Sequence, residues 1–144
     1  MLISLGVLTT NTTTTEASWE IITGATPGRA KLMEIGFTLN AATASSIGLG
    51  YPQAVGVTPT SPVDFLVEDP NDVLAASVVT SALAWATSPT VPAKFFRRMN
   101  FPATIGQGVV WTFPEGITIP VSSSIVLWNV GAVSALNAYA VIKI

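Results

Sequence analysis

"FPEGITIPVSSSIVLWNV", residues 113–130, is the part of the chain that most strongly indicates its fold class. Two runs of β-branched and aromatic side chains, residues 117–119 and 125–128, flank a triple serine, and each has the composition of a strand. Pro114 and Pro120 bound the first run, because proline interrupts regular strand pairing. We therefore predict that this stretch forms a hairpin in the core of a β protein.

Short apolar runs of the same kind recur along the whole chain. They are separated by Gly, Pro, Ser and Asn, and no stretch keeps the helical period over several turns. We predict an all-β fold, a single jelly-roll-like β-sandwich or barrel of about eight or nine short strands, since many short strands separated by turn residues favour these architectures. The residues expected to contribute to its core are Ile35, Phe37, Leu39, Trp85, Trp111, Val126 and Trp128.

Two segments predict local turns. Residues 24–31, "GATPGRAK", contain Pro27-Gly28, and because their glycine spacing does not match a phosphate-binding loop we predict a turn there. Asp69 before Pro70 resembles the start of a helix, and we expect at most one short helical turn that continues into residues 73–77.

The chain is expected to form one domain. Its 144 residues suffice for a single core, and no shift in composition divides them. We assign residues 18–144 to the jelly-roll domain. Residues 1–17, "MLISLGVLTTNTTTTEA", join an apolar start to a polar tract, which fits either an N-terminal arm that orders on contact with a neighbour or the first strand of the sheet.

Charged side chains are scarce. They make up 10% of the chain, against about 25% of a typical soluble domain. Serine and threonine can solvate much of the exterior, which is one explanation. The other is that part of the exterior is covered by copies of the chain or by a larger assembly, because stable interfaces are apolar and poor in charge. The second explanation predicts a homo-oligomer, and we expect a homotrimer.

The same composition argues against two classes of partner. With a net charge of −2 the chain has no long-range field that would attract nucleic acid, so we expect no nucleic-acid partner. Residues 73–93 carry no charge but include several Ser and Thr residues and two prolines, so we expect no membrane span. The first ten residues have no basic segment of a secretory signal.

The sequence contains few of the side chains that usually catalyse reactions. The chain contains no histidine and no cysteine, which removes the usual base for a nucleophilic serine and the thiolate nucleophile. We therefore predict that the protein is not an enzyme and has no cofactor. An acidic segment, residues 64–72, could supply oxygen ligands to calcium, but its spacing is not that of an EF-hand, and a solvated loop is the favoured interpretation.

Residues 95–101, "FFRRMNF", predict a contact surface. In a strand, Phe95, Arg97, Met99 and Phe101 share one face, and arginine beside aromatic rings is the composition enriched where proteins bind each other. The alternative is a core face on which Arg97 pairs with Glu34 or Glu115. The interface residues predicted from this segment and from the N-terminus are Leu2, Ile3, Leu5, Phe96, Arg97 and Arg98.

The four tryptophans allow two interpretations. Trp19, Trp85, Trp111 and Trp128 could form a platform on which sugars stack, but all four lie within alternating strand patterns. Packing in the core is therefore the favoured interpretation.

A resemblance to a known group of proteins adds a functional expectation. The C-terminal half, from "FFRRMNFPATIGQGVVWTFPEG" through "ITIPVSSSIVLWNV" to the last strand, together with "EIGFTLNAATASSIGLGYP", resembles small jelly-roll proteins encoded with tailed-phage structural genes. The resemblance implies a capsid decoration, or cement, protein. Such a protein is a non-enzymatic homotrimer that binds the major capsid protein on the outer surface of the virion. The alternative is the trimeric receptor- or glycan-binding head of a phage fibre.

Overall fold

The computed structural model describes residues 1–10, 13–25, 29–74 and 78–144. Within them it contains thirteen strands and no helix. The strands are β1 (Leu2–Leu8), β2 (Trp19–Thr23), β3 (Ala30–Leu39), β4 (Ser45–Gly50), β5 (Val57–Pro59), β6 (Pro62–Asp64), β7 (Leu66–Val67), β8 (Val79–Ala82), β9 (Trp85–Thr87), β10 (Arg97–Phe101), β11 (Gly108–Ile119), β12 (Ser124–Asn129) and β13 (Leu136–Lys143).

Two antiparallel sheets pack face to face. The five-stranded sheet has the order β11-β3-β13-β1-β7, and the six-stranded sheet has the order β10-β4-β12-β2-β8-β6. The first four strands alternate between the two sheets, as do β10 to β13, so these connections cross the sandwich, as in jelly-roll-like folds. The prediction of an all-β sandwich is confirmed. The strand number exceeds the expected eight or nine, because the proline-rich middle contributes the very short β5, β6, β7 and β9.

The hairpin predicted for residues 113–130 is wrong. β11 pairs with β3 in the five-stranded sheet, whereas β12 lies between β2 and β4 in the six-stranded sheet. The turn between them starts at Pro120, which has no N–H to donate, and includes Ser122 at φ 53. The Thr23 hydroxyl donates to the Pro120 carbonyl and fixes this turn against β2. The stretch is therefore a crossover between the sheets.

The N-terminal residues form a strand. β1 pairs along its whole length with β13 and is flanked on its other side by β7. Ile3 is fully buried in the main core, and Leu5 and Val7 pack against it. Of the two alternatives for residues 1–17, residues 2–8 are therefore the first strand. Residues 11 and 12 lie outside the described residues.

The apolar side chains form two clusters. The main core lies between the sheets and includes Ile35, Phe37, Leu39 and Trp111, as predicted. A smaller cluster lies on the outer side of the six-stranded sheet and contains Ala17, Val126 and Trp128. Trp85 was predicted in the core but is only partly buried, against this second cluster. The sequence did not separate the clusters because β12 is buried on both faces.

A bulge changes which residues of β3 face the core. Between Leu32 and Glu34, both neighbours of β3 shift register, so Met33 has no paired partner in β11 or β13. Leu32 rather than Met33 consequently enters the core. Strict alternation along β3 would instead place Met33 on the same face as Ile35 and Phe37.

The predicted turns are described only in part. Residues 26–28 of the expected turn at 24–31, including Pro27-Gly28, lie outside the described residues. At 69–72 the chain forms a turn: the Asp72 N–H donates to the Asp69 carbonyl at 2.9 Å, and the Asn71 N–H donates to the Asp69 carboxylate at 3.0 Å. Residues 75–77, where a helical turn would continue, also lie outside the described residues.

Candidate interaction surfaces

The outer side of the five-stranded sheet is left open by the chain. We call it the open face and define it by the outward-facing residues of β1, β3, β11 and β13, whose alternate neighbours point into the core. In order of strand, these residues are Leu2, Ser4, Gly6 and Leu8; Lys31, Glu34, Gly36 and Thr38; Gly108, Val110 and Thr112; and Asn137, Tyr139, Val141 and Lys143.

The open face is nearly uncharged. Its charged residues are Lys31, Glu34 and Lys143, of which the two lysines are paired across β3 and β13 at one end. Leu2, Leu8 and Val110 are exposed on it. Such a patch of exposed apolar side chains with few charges is typical of a surface that another molecule covers.

A shallow groove of about 470 Å³ crosses the open face. Thr38, Val110, Asn137 and Tyr139 line it, and Gly108 forms part of its floor. The ring of Tyr139 lies over Gly36, where a Cβ atom would come within 2.4 Å of the ring. Glycine at this position therefore lets the ring lie flat against the sheet.

A hydrogen bond between β3 and β13 fixes the Tyr139 ring. Its hydroxyl donates to Glu34 Oε1 at 2.5 Å. This bond to the Glu34 carboxylate, helped by burial, raises the pKa of Tyr139 to about 12. The Glu34 carboxylate is thus already bonded within the chain, which lowers the cost of covering it.

The outer side of the six-stranded sheet is covered by the chain itself. Residues before β2 cross it, with Ala17 fully buried and the Thr14 carbonyl accepting from the Trp128 Nε1–H at 3.0 Å. Trp85 and Phe95 pack against the same cluster from the other side. The two sheets therefore differ: one outer face has its own apolar layer and the other has none.

Glu20 anchors this covering layer. Its side chain is fully buried and its carboxyl accepts from three donors: the Ser124 hydroxyl at 2.6 Å, the Trp85 Nε1–H at 2.9 Å and the Gly56 N–H at 3.1 Å. These donors come from β12, from β9 and from the segment before β5. The carboxyl is therefore satisfied by neutral donors. It also ties β5 and β9, which pair with each other as a separate two-stranded sheet, to the six-stranded sheet. In the sequence, the signal that could have pointed to this buried site is Glu20, the single charged residue within the strand pattern "SWEIITG".

The edge that contains β10 is positively charged and aromatic. We call it the arginine edge and define it by Lys94, Phe95, Phe96, Arg97, Arg98 and Met99. The Arg97 guanidinium lies 5.2 Å from the Phe113 ring centroid and the Arg98 guanidinium lies 5.4 Å from that of Phe95. Their hydrogen bonds go to the Phe96 carbonyl and, more weakly, to the Ser46 hydroxyl.

This geometry contradicts one of the two interpretations of "FFRRMNF", the core face. The predicted alternative, an ion pair of Arg97 with Glu34 or Glu115, is wrong, because Glu34 is bonded to Tyr139 and Arg97 lies over Phe113. Both arginines, Phe96 and Met99 are exposed. The segment is a surface strand at the end of the sheet.

An apolar groove of about 520 Å³ adjoins the arginine edge. Its walls include Tyr51, Pro52, Phe95 and Phe96, and the rings of Tyr51 and Phe96 meet edge to face at 5.0 Å. The Tyr51 hydroxyl donates to the Thr118 carbonyl, which fixes that ring. Burial raises the pKa of Tyr51.

The opposite edge of the sandwich is acidic. We call it the acidic edge and define it by Asp64, Glu68, Asp69 and Asp72, in and after the edge strands β6 and β7. Leu66 and Val73 are strongly exposed beside these carboxylates. Within the described residues no group of three or more acidic side chains converges on a point that could hold a metal ion.

The six predicted interface residues do not share one surface. Leu2 lies on the open face, Ile3 is in the core and Leu5 packs against the core. Phe96, Arg97 and Arg98 lie together on the arginine edge. Burial of Ile3 removes it from any contact surface, because its side chain points inward from β1 into the core.

The tryptophans do not form a sugar-binding platform. Trp19, Trp111 and Trp128 are buried, and the indole of Trp85 is held by Glu20. The core-packing interpretation is confirmed for the three buried residues.

Among the residues that the structure describes, there is no helix with the length and hydrophobicity of a membrane span.

Comparison of the chain with models of protein families, with curated proteins and with solved structures finds no match.

Proposed function

We propose that this protein is a non-enzymatic structural protein that binds and stabilises the outer surface of a viral shell, as a capsid decoration protein, through its open face. The single observation that carries the proposal is the contrast between the two outer faces. One is covered by a buried apolar layer, and the other exposes Leu2, Leu8 and Val110 on a face with few charged side chains. On this proposal the protein resides on the virion, and its partner is the major capsid protein.

The energetics fit a contact made by many copies. Burial of a fully exposed side chain of this size contributes about 1.5–3 kcal/mol, and because Leu2, Leu8 and Val110 are 43%, 49% and 52% exposed, each contributes about half of that. The area of the open face follows from strand geometry. Four strands about 4.8 Å apart, each about seven residues long with a rise of about 3.3 Å per residue, cover roughly 440 Å². A standard interface buries about 800 Å² per partner. One open face is therefore smaller than the surface of a standard interface, so a single contact is weak and stable attachment depends on repeated binding to a symmetric lattice.

A binding assay on shells that lack decoration proteins tests the proposal. Val110 on the open face and Val121 in the β11–β12 turn are 52% and 50% exposed, so they form a matched pair. We expect Val110→Lys to weaken shell binding at least tenfold, because it places a charge in the contact, and Val121→Lys to leave it unchanged. Equal binding by both variants would exclude the open face, and absence of binding by the unaltered chain would exclude the decoration role.

The groove beside Tyr51 and Phe96 favours a second candidate, the receptor- or glycan-binding head of a phage fibre. Aromatic rings at the wall of an open groove are the groups on which sugar rings stack. A glycan array separates the two functions. Binding that is retained by Val110→Lys and lost in Phe96→Ala would support the second candidate and argue against the first.

A further inference from the structure

We infer that the protein associates head to tail with further copies of itself, the arginine edge of one copy meeting the acidic edge of the next. The inference goes beyond the proposed function, since it concerns contacts between copies and is tested without shells.

The topology places the two edges on opposite sides of the sandwich. β10 and β11 end the two sheets on one side, and β6 and β7 end them on the other. Each side therefore consists of edge strands, whose outward N–H and C=O groups lack a strand partner within the described chain. Edge strands are the usual place where a second chain docks on a β-sandwich.

Charge distinguishes the two sides. Lys94, Arg97 and Arg98 are three of the six basic residues of the chain, and all three are exposed. The acidic edge carries four of the eight acidic residues. Glu115, in the bulge of β11, is an acidic residue on the basic side, so that side carries three positive charges against one negative charge.

The arginine side chains are already arranged to bind carboxylates. Each guanidinium rests on an aromatic ring, which limits its motion, and donates one hydrogen bond within the chain, from Nη1 of Arg97 and from Nε of Arg98, so that its other N–H groups remain for a carboxylate. No carboxylate of the described chain is among the bonded partners of Arg97 or Arg98. Carboxylates of a second copy would supply that missing partner.

Both edges also expose apolar side chains beside their charges. Phe96, Met99 and Ile105 are exposed on or next to the arginine edge, and Leu66 and Val73 on the acidic edge. A contact would therefore bury apolar surface at its centre and surround it with opposite charges, the arrangement found in specific interfaces.

The sign of the charges fixes the direction of association. Two arginine edges, or two acidic edges, would repel each other, so a copy must use the opposite edge of its neighbour. Such an interface is heterologous and produces a ring where the rotation closes or a chain where it does not. Linked copies present several open faces at once and strengthen a contact that one face makes weakly.

Charge reversal on purified protein tests the inference. We compare three double variants: Arg97→Glu with Arg98→Glu, Glu68→Lys with Asp69→Lys, and, as a control that changes net charge as the first does, Arg29→Glu with Lys143→Glu. By light scattering we expect the unaltered chain and the control to exceed the 15.0 kDa monomer mass. The first two variants should each be monomers, and circular dichroism checks that they remain folded.

Mixing the two edge variants tests whether their unaltered edges still bind each other. Each of the two edge variants retains one unaltered edge, so an equimolar mixture should recover a species of at least twice the monomer mass. A chain that carries all four edge substitutions should also associate, because its two edges again have opposite charges. Raising the salt concentration about tenfold should dissociate the unaltered species, because exposed charges are screened. A monomeric unaltered chain, edge variants that keep its mass, or a mixture that stays monomeric would each overturn the inference.

Discussion

Glu20 shows at the scale of one residue how a polar group can be buried in a chain with few charges. Its three donors come from distant parts of the sequence, and no described cation is needed to hold it. Buried polar groups persist only where their hydrogen bonds are made, so Glu20 and its donors stabilise the covering layer as a unit.

Removal of the Glu20 carboxyl should be costly. Glu20→Ala leaves the Gly56 N–H, the Trp85 indole N–H and the Ser124 hydroxyl without their acceptor. An orphaned buried donor costs about 1–3 kcal/mol, which applies in full to Ser124 and less to Gly56 and Trp85, because these two are partly exposed and can bond to water. We expect the free energy of unfolding to fall by about 2–5 kcal/mol in a denaturant titration. Glu68→Ala, at an exposed position, should change it by less than about 0.5 kcal/mol. Similar losses in the two variants would contradict the role assigned to Glu20.

Tyr139 supplies a prediction for alkaline pH. Its pKa is raised from 10.0 to about 12, first by the hydrogen bond to Glu34. Because the folded value lies above the unfolded one, the folded state holds the proton more tightly, and this stabilisation is complete below pH 10.0 and lost as the pH rises to about 12. Glu34→Gln should move the phenolate absorbance transition of Tyr139 back toward pH 10.0. An identical transition in that variant would show that Glu34 does not control the ionisation.

At the scale of strands, alternation predicted faces wherever pairing is regular. Ile35, Phe37 and Leu39 were placed correctly because β3 has no irregularity after Glu34. Leu32 was missed because the bulge at Met33 depends on how two neighbouring strands pair, which no local pattern contains. The arginine edge was found from composition, but its ring partners were not, because Phe113 reaches Arg97 from the other sheet.

Two adjacent residues of β1 test whether the N-terminal segment is a strand. Ile3 is 0% exposed and Leu2 is 43% exposed, on opposite faces. Ile3→Ala should lower the free energy of unfolding by about 2–5 kcal/mol, since it leaves a cavity in the core. Leu2→Ala should lower it by less than about 1 kcal/mol. Equal, small effects, together with normal folding of a chain lacking residues 2–15, would restore the arm interpretation.

At the scale of the whole molecule, the sandwich class followed from the sequence but the assignment of strands to sheets did not. The turn at residues 120–123 has the serine and proline content of a hairpin turn, yet it crosses between sheets because Thr23 and its neighbours bind it from β2. Contacts between parts of the chain about 100 residues apart decide this, and local composition does not record them. The open face was missed for the same reason, since it becomes a surface only when β1, β3, β11 and β13 lie side by side.

The pairing of the first and last residues makes the topology itself testable. The Met1 amino group donates to the Ile144 carbonyl at 3.0 Å, and the Ile144 N–H donates to the Met1 carbonyl at 2.9 Å, so the two residues form a hydrogen-bonded antiparallel pair. Insertion of Asn-Gly between them would complete a two-residue hairpin turn. New ends belong between Ala132 and Val133, because Val133 is exposed and lies in the β12–β13 loop.

We expect this circular permutant to fold to the same β-rich circular-dichroism spectrum and to unfold cooperatively, because every strand keeps its partners. A second permutant with the same Asn-Gly turn, opened instead next to Ala140, interrupts β13 between β3 and β1, where Ala140 is fully buried. This second permutant should not fold, since the new ends split β13, the strand that pairs with both β1 and β3. Stable folding of the second permutant, or failure of the first, would contradict the central position of β13 in the five-stranded sheet.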